Sequence, residues 1–250
     1  MRFVHTAQNK KNGGYETMNS KVEKLAMALE NAKEEVYKAQ REGKDLSKMV
    51  SISSGNTKMG KVTSVSLLPL LTCHGRCNGT CGDKCYAVKL AILRPSVMKA
   101  YARNTAVFLI SPVDYFKAVE GAMATSRFFR FHVSGDIPNQ NKGGYLAMVA
   151  YLCNKYTTCN VLMFTKQYET VNKFIHDNGS IPKNLHVLFS GWTNLKPVNP
   201  YNLPETTVYV KDEEFKPEWT ACGGNCLDCA LHCGGCWDAK SGDTIAFKMH

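Results

Sequence analysis

The sequence contains no uninterrupted apolar stretch near the roughly 20 residues needed to cross a bilayer. Residues 1–15 also lack the apolar run of a secretory signal. Both absences argue against a membrane role and place the expected site of action in the cytoplasm. No internal repeat is present. Acidic residues are comparatively few, 21 against 31 lysines and arginines, for a formal net charge of +10. Such an excess suits an anionic small molecule or nucleic acid, and it also serves plain solubility. Its most directional part is Lys84, Lys89, Arg94, Lys99 and Arg103, a run with almost no acid to balance it.

A wholly disordered chain is excluded by composition, with only the first twenty residues reading as loose: 44% of the 250 residues are hydrophobic, with aromatics spread along the chain. That length can bury a substantial core. Residues 18–42 carry Val22, Leu25, Met27, Leu29 and Val36 among Glu and Lys, with Gly43 as a stop, and predict an amphipathic helix with a solvated outer face. Residues 62–71 predict the first core strand. Helices follow at 86–108 and 112–124; Pro95 splits or kinks the first, and Ser111, Pro112 and Asp114 mark the start of the second. Strands at 128–133, 161–164 and 185–189 then alternate with helices at 145–155 and 168–176, and 207–210 adds another strand.

This alternation predicts an α/β fold with a parallel sheet, a partial TIM-like β/α barrel in preference to an open sheet. Residues 1–50 form an N-terminal extension with the amphipathic helix, and 51–250 a single domain. Functional groups in such folds gather at the carboxyl ends of the strands.

What the chain has in abundance is cysteine, eleven in all, an odd number that suits disulfides poorly. Cys73, Cys77, Cys81 and Cys85 lie four apart among Gly75, Gly79 and Gly82. On a straight helix the outer two would stand about 18 Å apart, at roughly 1.5 Å per residue, too far for one metal site. The glycines argue instead for a loop wrapped around a ligand. Cys222, Cys226, Cys229, Cys233 and Cys236 come at two- and three-residue intervals, again with glycines. Isolated Cys153 and Cys159 read as small buried hydrophobes.

The loops over 73–85 and 222–236 are therefore assigned to metal. Thiolates at these spacings suit one or two iron–sulfur clusters of the 4Fe-4S type, or else zinc, with His74 and His232 as alternative ligands. A Cys-x3-Cys-x2-Cys loop leaves one iron open, the logic of radical chemistry on S-adenosylmethionine. The triplet with that spacing lies in the second cluster, whereas the loop after the first strand reads Cys77-x3-Cys81-x3-Cys85.

Strand ends supply the remaining candidates. Ser134-Gly135-Asp136 follows the 128–133 strand. Asp136 there can accept a proton, hold a hydroxyl or anchor an amine, though Ser-Gly-Asp is also an ordinary turn. Ser134 and Asp136 are the candidate catalytic residues. Lys166 after the next strand is placed to meet a phosphate and Trp192 to stack on a base, with Lys89 and Arg94 adding positive charge. His132 points away from its neighbours and reads as structural.

Taken in order, Cys81-x3-Cys85-Tyr86-Ala87, Phe131-His132-Val133-Ser134-Gly135-Asp136, Phe164-Thr165-Lys166 and Cys233-x2-Cys236-Trp237 resemble phage and mobile-element proteins of the gene-product-eighty-eight type, over residues 62–238. The resemblance implies a partial barrel that brings both cysteine clusters together. It also implies distant similarity to radical S-adenosylmethionine barrels and the spore photoproduct lyase group. The combined expectation is an iron–sulfur protein, a redox or radical-type enzyme acting on a nucleotide or nucleic acid. The alternative is a non-enzymatic zinc protein that binds nucleic acid or takes part in phage or plasmid replication.

Overall fold

The computed structural model describes residues 18–56, 59–73, 80–192, 195–232 and 234–249. Helix α1 (Met18–Arg41) buries Leu25, Leu29, Ala32, Val36 and Ala39, a stripe at three- and four-residue spacing. Met27 falls outside that stripe and is 67% exposed. After α1 come a short α2 (Thr80–Asp83), α3 (Tyr86–Leu93), α4 (Pro95–Ile110) and α5 (Pro112–Met123). The α1 stripe packs on α4, so this helix is a layer of the fold. Pro95 opens α4 at its first turn, where the missing N–H has no partner to lose. Ser111 does not cap α5 through a backbone N–H; its hydroxyl donates to Asp114 Oδ2 at 2.6 Å.

One sheet holds β1 (Ile52–Ser53), β2 (Thr63–Val65), β3 (Phe128–Phe131), β4 (Asn160–Thr165), β5 (Leu185–Ser190), β6 (Glu205–Tyr209), β7 (Thr220–Ala221) and β8 (Thr244–Lys248). Their order is β1-β2-β3-β4-β5-β6-β8-β7, antiparallel at β1–β2 and parallel at every other pairing. Helices α6 (Lys142–Lys155) and α7 (Tyr168–Asn178) cross over between β3, β4 and β5. The predicted α/β class and parallel run are present. Among the described residues no pairing joins β1 to β7, so closure into a barrel is not seen.

The strand expected over 62–71 ends at Val65, and α4 explains why. Beyond it the chain turns through Leu70, whose φ is 63°. Buried Asn104 takes over the hydrogen bonding: its Oδ1 accepts from Ser51 N (2.6 Å), and its Nδ2 donates to Ser51 O (2.9 Å) and Ser66 O (3.0 Å). Thr105 Oγ1 accepts from Leu68 N at 2.9 Å. Irregular backbone is thus satisfied by side chains from a helix, which no local pattern announces.

Strand parity separates two faces. Val65, Phe129, Phe131, Val161, Met163, Val187 and Phe189 meet the helices in the larger core, together with Cys153 and Cys159. An aromatic knot of Phe108, Phe116, Tyr115 and Tyr145 sits there, the two tyrosine hydroxyls 3.0 Å apart. The opposite, inner face presents Leu162, Leu188 and Ile245, and the chain after β7 covers it.

Replacing Asn104 by Ala strands Ser51 N–H and Ser66 C=O without their partner. The expected loss is about 2–3 kcal/mol, read as a lower urea midpoint at unchanged slope.

Candidate functional site

The covering segment is the second cysteine cluster. Cys222 N donates to Ala246 O at 2.9 Å, which fixes the segment's entry beside β8. Helix α8 (Cys226–Leu231) starts at Asn225, whose side chain accepts from the N–H groups of Leu227 and Asp228, both at 3.1 Å. Trp237 then anchors the far end. Its indole donates to Cys226 O at 2.9 Å, and its ring lies 5.3 Å from Phe128 and 6.1 Å from His186 on the inner face. Gly60 closes the contact from the other side: its φ is 73°, and an added Cβ would fall 2.6 Å from Leu227 Cβ.

Cys222, Cys226, Cys229 and Cys236 share one electrostatic neighbourhood. Burial raises the Cys229 thiol and pushes Cys236 up to about 12, and in both cases Cys222 and Cys226 raise it further. Donors nevertheless point at sulfur: Gly224 N–H at Cys222 Sγ (3.4 Å) and Arg130 Nη1 at Cys226 Sγ (3.3 Å). Gly235 passes so close to Cys229 that an added Cβ would lie 3.2 Å from its Sγ.

The first cluster forms a second neighbourhood, at the carboxyl ends of the strands. Cys81 lies in α2 and Cys85 at the start of α3. Burial raises Cys85, while the N–H groups of Val88 and Ala87 and the Lys166 ammonium pull it back. Cys73 is raised by burial and then by Asp136, Cys85 and Cys81. Tyr86 and Arg130 lie between the two sets, since Tyr86 feels Arg130, Cys85 and Cys226 together.

Among the described residues no three His, Cys, Asp or Glu side chains converge closely enough to hold an ion. The candidate ligands Cys77 and Cys233, and His74, lie outside those residues. His232 is exposed, its Nδ1 3.2 Å from Asp228 Oδ1.

Ser134 and Asp136 are buried, and their polar atoms are taken up inside the protein. Ser134 Oγ donates to Leu67 O at 3.0 Å. Asp136 accepts from Thr165 Oγ1 (2.6 Å), Ile137 N (2.7 Å) and Lys166 N (2.8 Å). Burial raises its carboxyl despite these donors. Gly135 between them has φ 83°, and an added Cβ would stand 2.7 Å from Thr72 Oγ1. The turn therefore stitches the ends of β3 and β4 to the chain after β2.

Lys166 is half-buried, its Nζ donating to Ser190 Oγ at 2.5 Å, and Tyr168 OH donates to Ser190 O at 2.5 Å. Trp192 is half-buried nearby; its indole N–H has no partner among the described residues. Ser190 thus gathers Lys166 and Tyr168 at the end of β5, two residues before Trp192, and Lys166 and Tyr168 interact electrostatically with Cys85 and Cys81. Lys89 is exposed on α3, and Arg94 is exposed just past its C-terminal end. Lys99, from the same basic run, is spent on Glu35 at 2.9 Å.

Arg130, Trp237 and Met59 belong to this region and were not foreseen as site residues. A cation inside the run Phe128-Phe129-Arg130-Phe131 was the available signal. An arginine at an inward-facing position breaks the apolar alternation and asks for an acidic or sulfur partner.

His132 is buried with φ 58°, and neither ring nitrogen has a partner among the described residues. Burial holds it down to about 3 from an ordinary 6.5. Between those values the unfolded chain takes up a proton that the native protein does not, so stability is present above about pH 6.5 and falls as pH drops below it. The slope reaches about 1.4 kcal/mol per pH unit. His132→Asn, which tolerates the left-handed backbone, should flatten the difference between urea midpoints at about pH 7.5 and 5.5.

No helix among the described residues is long and apolar enough to cross a membrane. No curated protein and no solved structure matches the chain significantly, and so nothing in these comparisons supports the expected likeness to radical S-adenosylmethionine barrels. A family model described as Gene product 88 matches residues 22–238, which takes in most of α1, the sheet through β7 and the second cysteine cluster. The chain belongs to the Gene product 88 family.

Proposed function

We propose that this protein is an iron–sulfur protein whose thiolate ligands are drawn from the two cysteine segments, residues 73–85 and 222–236. The observation that carries this reading is that Cys229 and Cys236, partly buried beside the inner face of the sheet, lie within electrostatic reach of Cys222 and Cys226. Burial raises the Cys229 and Cys236 thiols, and a soft metal supplies the positive partner that a thiolate needs there. The apolar and aromatic cover from Phe128, Phe164 and Trp237 suits a cluster kept from solvent.

In this reading the sheet is a partial barrel whose open side is filled by the cysteine segment. The mouth at Lys166, Ser190 and Trp192 takes a phosphate-bearing substrate, a nucleotide or nucleic acid, with the ammonium opposite phosphate and the indole against a base. Redox chemistry at the cluster is the activity class, with Asp136 positioning Lys166 by accepting from its backbone N–H.

Zinc is the second reading, favoured by the Cys222-x3-Cys226-x2-Cys229 spacing and the net charge of +10. It makes the protein a nucleic-acid-binding module without catalysis.

Anaerobic purification followed by iron, sulfide and zinc analysis separates the two. A brown protein with stoichiometric iron and acid-labile sulfide supports the proposal, and a colourless zinc protein sinks it. Incubating the iron form with dithionite and S-adenosylmethionine tests the radical variant through 5′-deoxyadenosine release. Cys229→Ser should lower metal per chain severalfold while Cys153→Ser, in the helical core, leaves it unchanged.

A further inference from the structure

Helices α5 and α6 run next to each other on the outer layer without closing on each other. α5 packs chiefly on α4, and α6 on α7. Between them lies a groove of about 370 Å³, floored by the buried rings of Phe108, Phe116 and Tyr145. Val113, Lys117 and Glu120 of α5 flank one side, and Gly144, Met148, Tyr151 and Lys155 of α6 the other. Both rows keep the three- and four-residue spacing that puts side chains on one helix face. Lys155 Nζ meets Glu120 Oε1 at 2.5 Å and closes one end. Gly144 leaves the other end open, and a Cβ added there would fall 2.5 Å from Asn141 Oδ1.

The margin of this groove is apolar and faces water. Val113 is 79% exposed, Tyr151 54% and Met148 38%. Exposed apolar residues scattered singly are ordinary, but three around one apolar groove form a contiguous patch, the mark of an interaction surface. Its charges also cancel. Lys117 pairs with Asp45 at 3.0 Å and Lys155 with Glu120, and Asp114 and Lys142 complete a balance of three acids and three lysines. The whole chain carries +10, so two copies repel across most of their surface. Repulsion is least at a neutral patch, where the lysines of one copy can face the acids of the other.

We infer that the α5–α6 groove is a self-association surface that takes a second copy of this chain. A two-fold contact needs a knob and a hole on the same patch. Tyr151 supplies the knob, and the open end of the groove beside Val113 and Gly144 supplies the hole. The rim ion pairs are made within each copy, so the contact covers apolar surface without leaving a charge unpaired. The surface is independent of the proposed metal site: its floor belongs to the helical face of the sheet, and the second cysteine segment covers the other face.

The test is sedimentation velocity of the full-length protein, kept anaerobic and reduced, from about 1 to about 200 µM. Wild type should pass from monomer toward dimer over this range, and more readily at about 0.5 M than at about 0.05 M salt, because screening removes the long-range repulsion. Val113→Asp and Tyr151→Asp should each weaken the dimer at least about tenfold, since each sets a carboxylate against an apolar floor. Met27→Asp, at another exposed apolar position on α1, should leave it unchanged. The urea midpoint of each variant is read first to show that it is folded; Asp near the start of α5 also suits the helix dipole.

A monomer at every concentration overturns the second copy as occupant, as does a dimer that neither Val113→Asp nor Tyr151→Asp weakens. Association that falls as salt rises also overturns it, by placing the contact on opposite charges elsewhere. Titration with the neutral fluorophore N-phenyl-1-naphthylamine reads the remaining alternative: a monomer whose fluorescence gain is lost in Val113→Asp makes the groove a small-molecule site instead.

Discussion

A parallel sheet has two apolar faces, and both must be kept from water. In this protein the helices cover one face, and the rest of the structure depends on how the other is covered. The chain assigns that task to the segment after β7. Trp237 seats it, through edge contacts to Phe128 and His186 and a hydrogen bond to Cys226 O. A segment that folds over an inner face carries its cysteines with it, so packing and the candidate metal centre are one piece of construction.

The second thiol set arises from a different constraint. Backbone irregularity after β2 is absorbed by Asn104 and Thr105 of α4, and the chain emerges at the carboxyl ends of the strands, where Cys73 meets Asp136. Asp136 gathers Thr165, Ile137 and Lys166 at that point. Its three donors hold neighbouring strand ends in register and aim the Lys166 side chain at Ser190. A buried carboxylate with all its bonds satisfied organises a mouth better than it attacks anything in it.

Tyr86 interacts electrostatically with a cysteine of each set, Cys85 and Cys226, and with Arg130. The family resemblance implied clusters brought together, and the arrangement is more specific: two neighbourhoods with a tyrosine and an arginine between them. Arg130 reaches Cys226, ninety-six residues further along the chain, from the middle of a strand.

Much of the framework was legible in the residues themselves. Apolar recurrence at three and four marked α1, Pro95 and Pro112 marked helix starts, and short apolar runs marked β3, β4 and β5, because each signal is local in sequence and in space. The short β1 and β7 and the terminal β8 carried weak local patterns and gained their structure from neighbours. Cysteine density by itself marked two thiol-rich segments, and where loops were expected the structure places Cys81 in α2 and Cys226 and Cys229 in α8. Only the tertiary structure decided that one lies on the sheet's inner face against Arg130, and that Ser134 and Asp136 spend their polar atoms on the fold. The reason is physical: which face a strand presents, and which distant segment covers it, depends on contacts between residues far apart in sequence, and spacing along a chain does not record them.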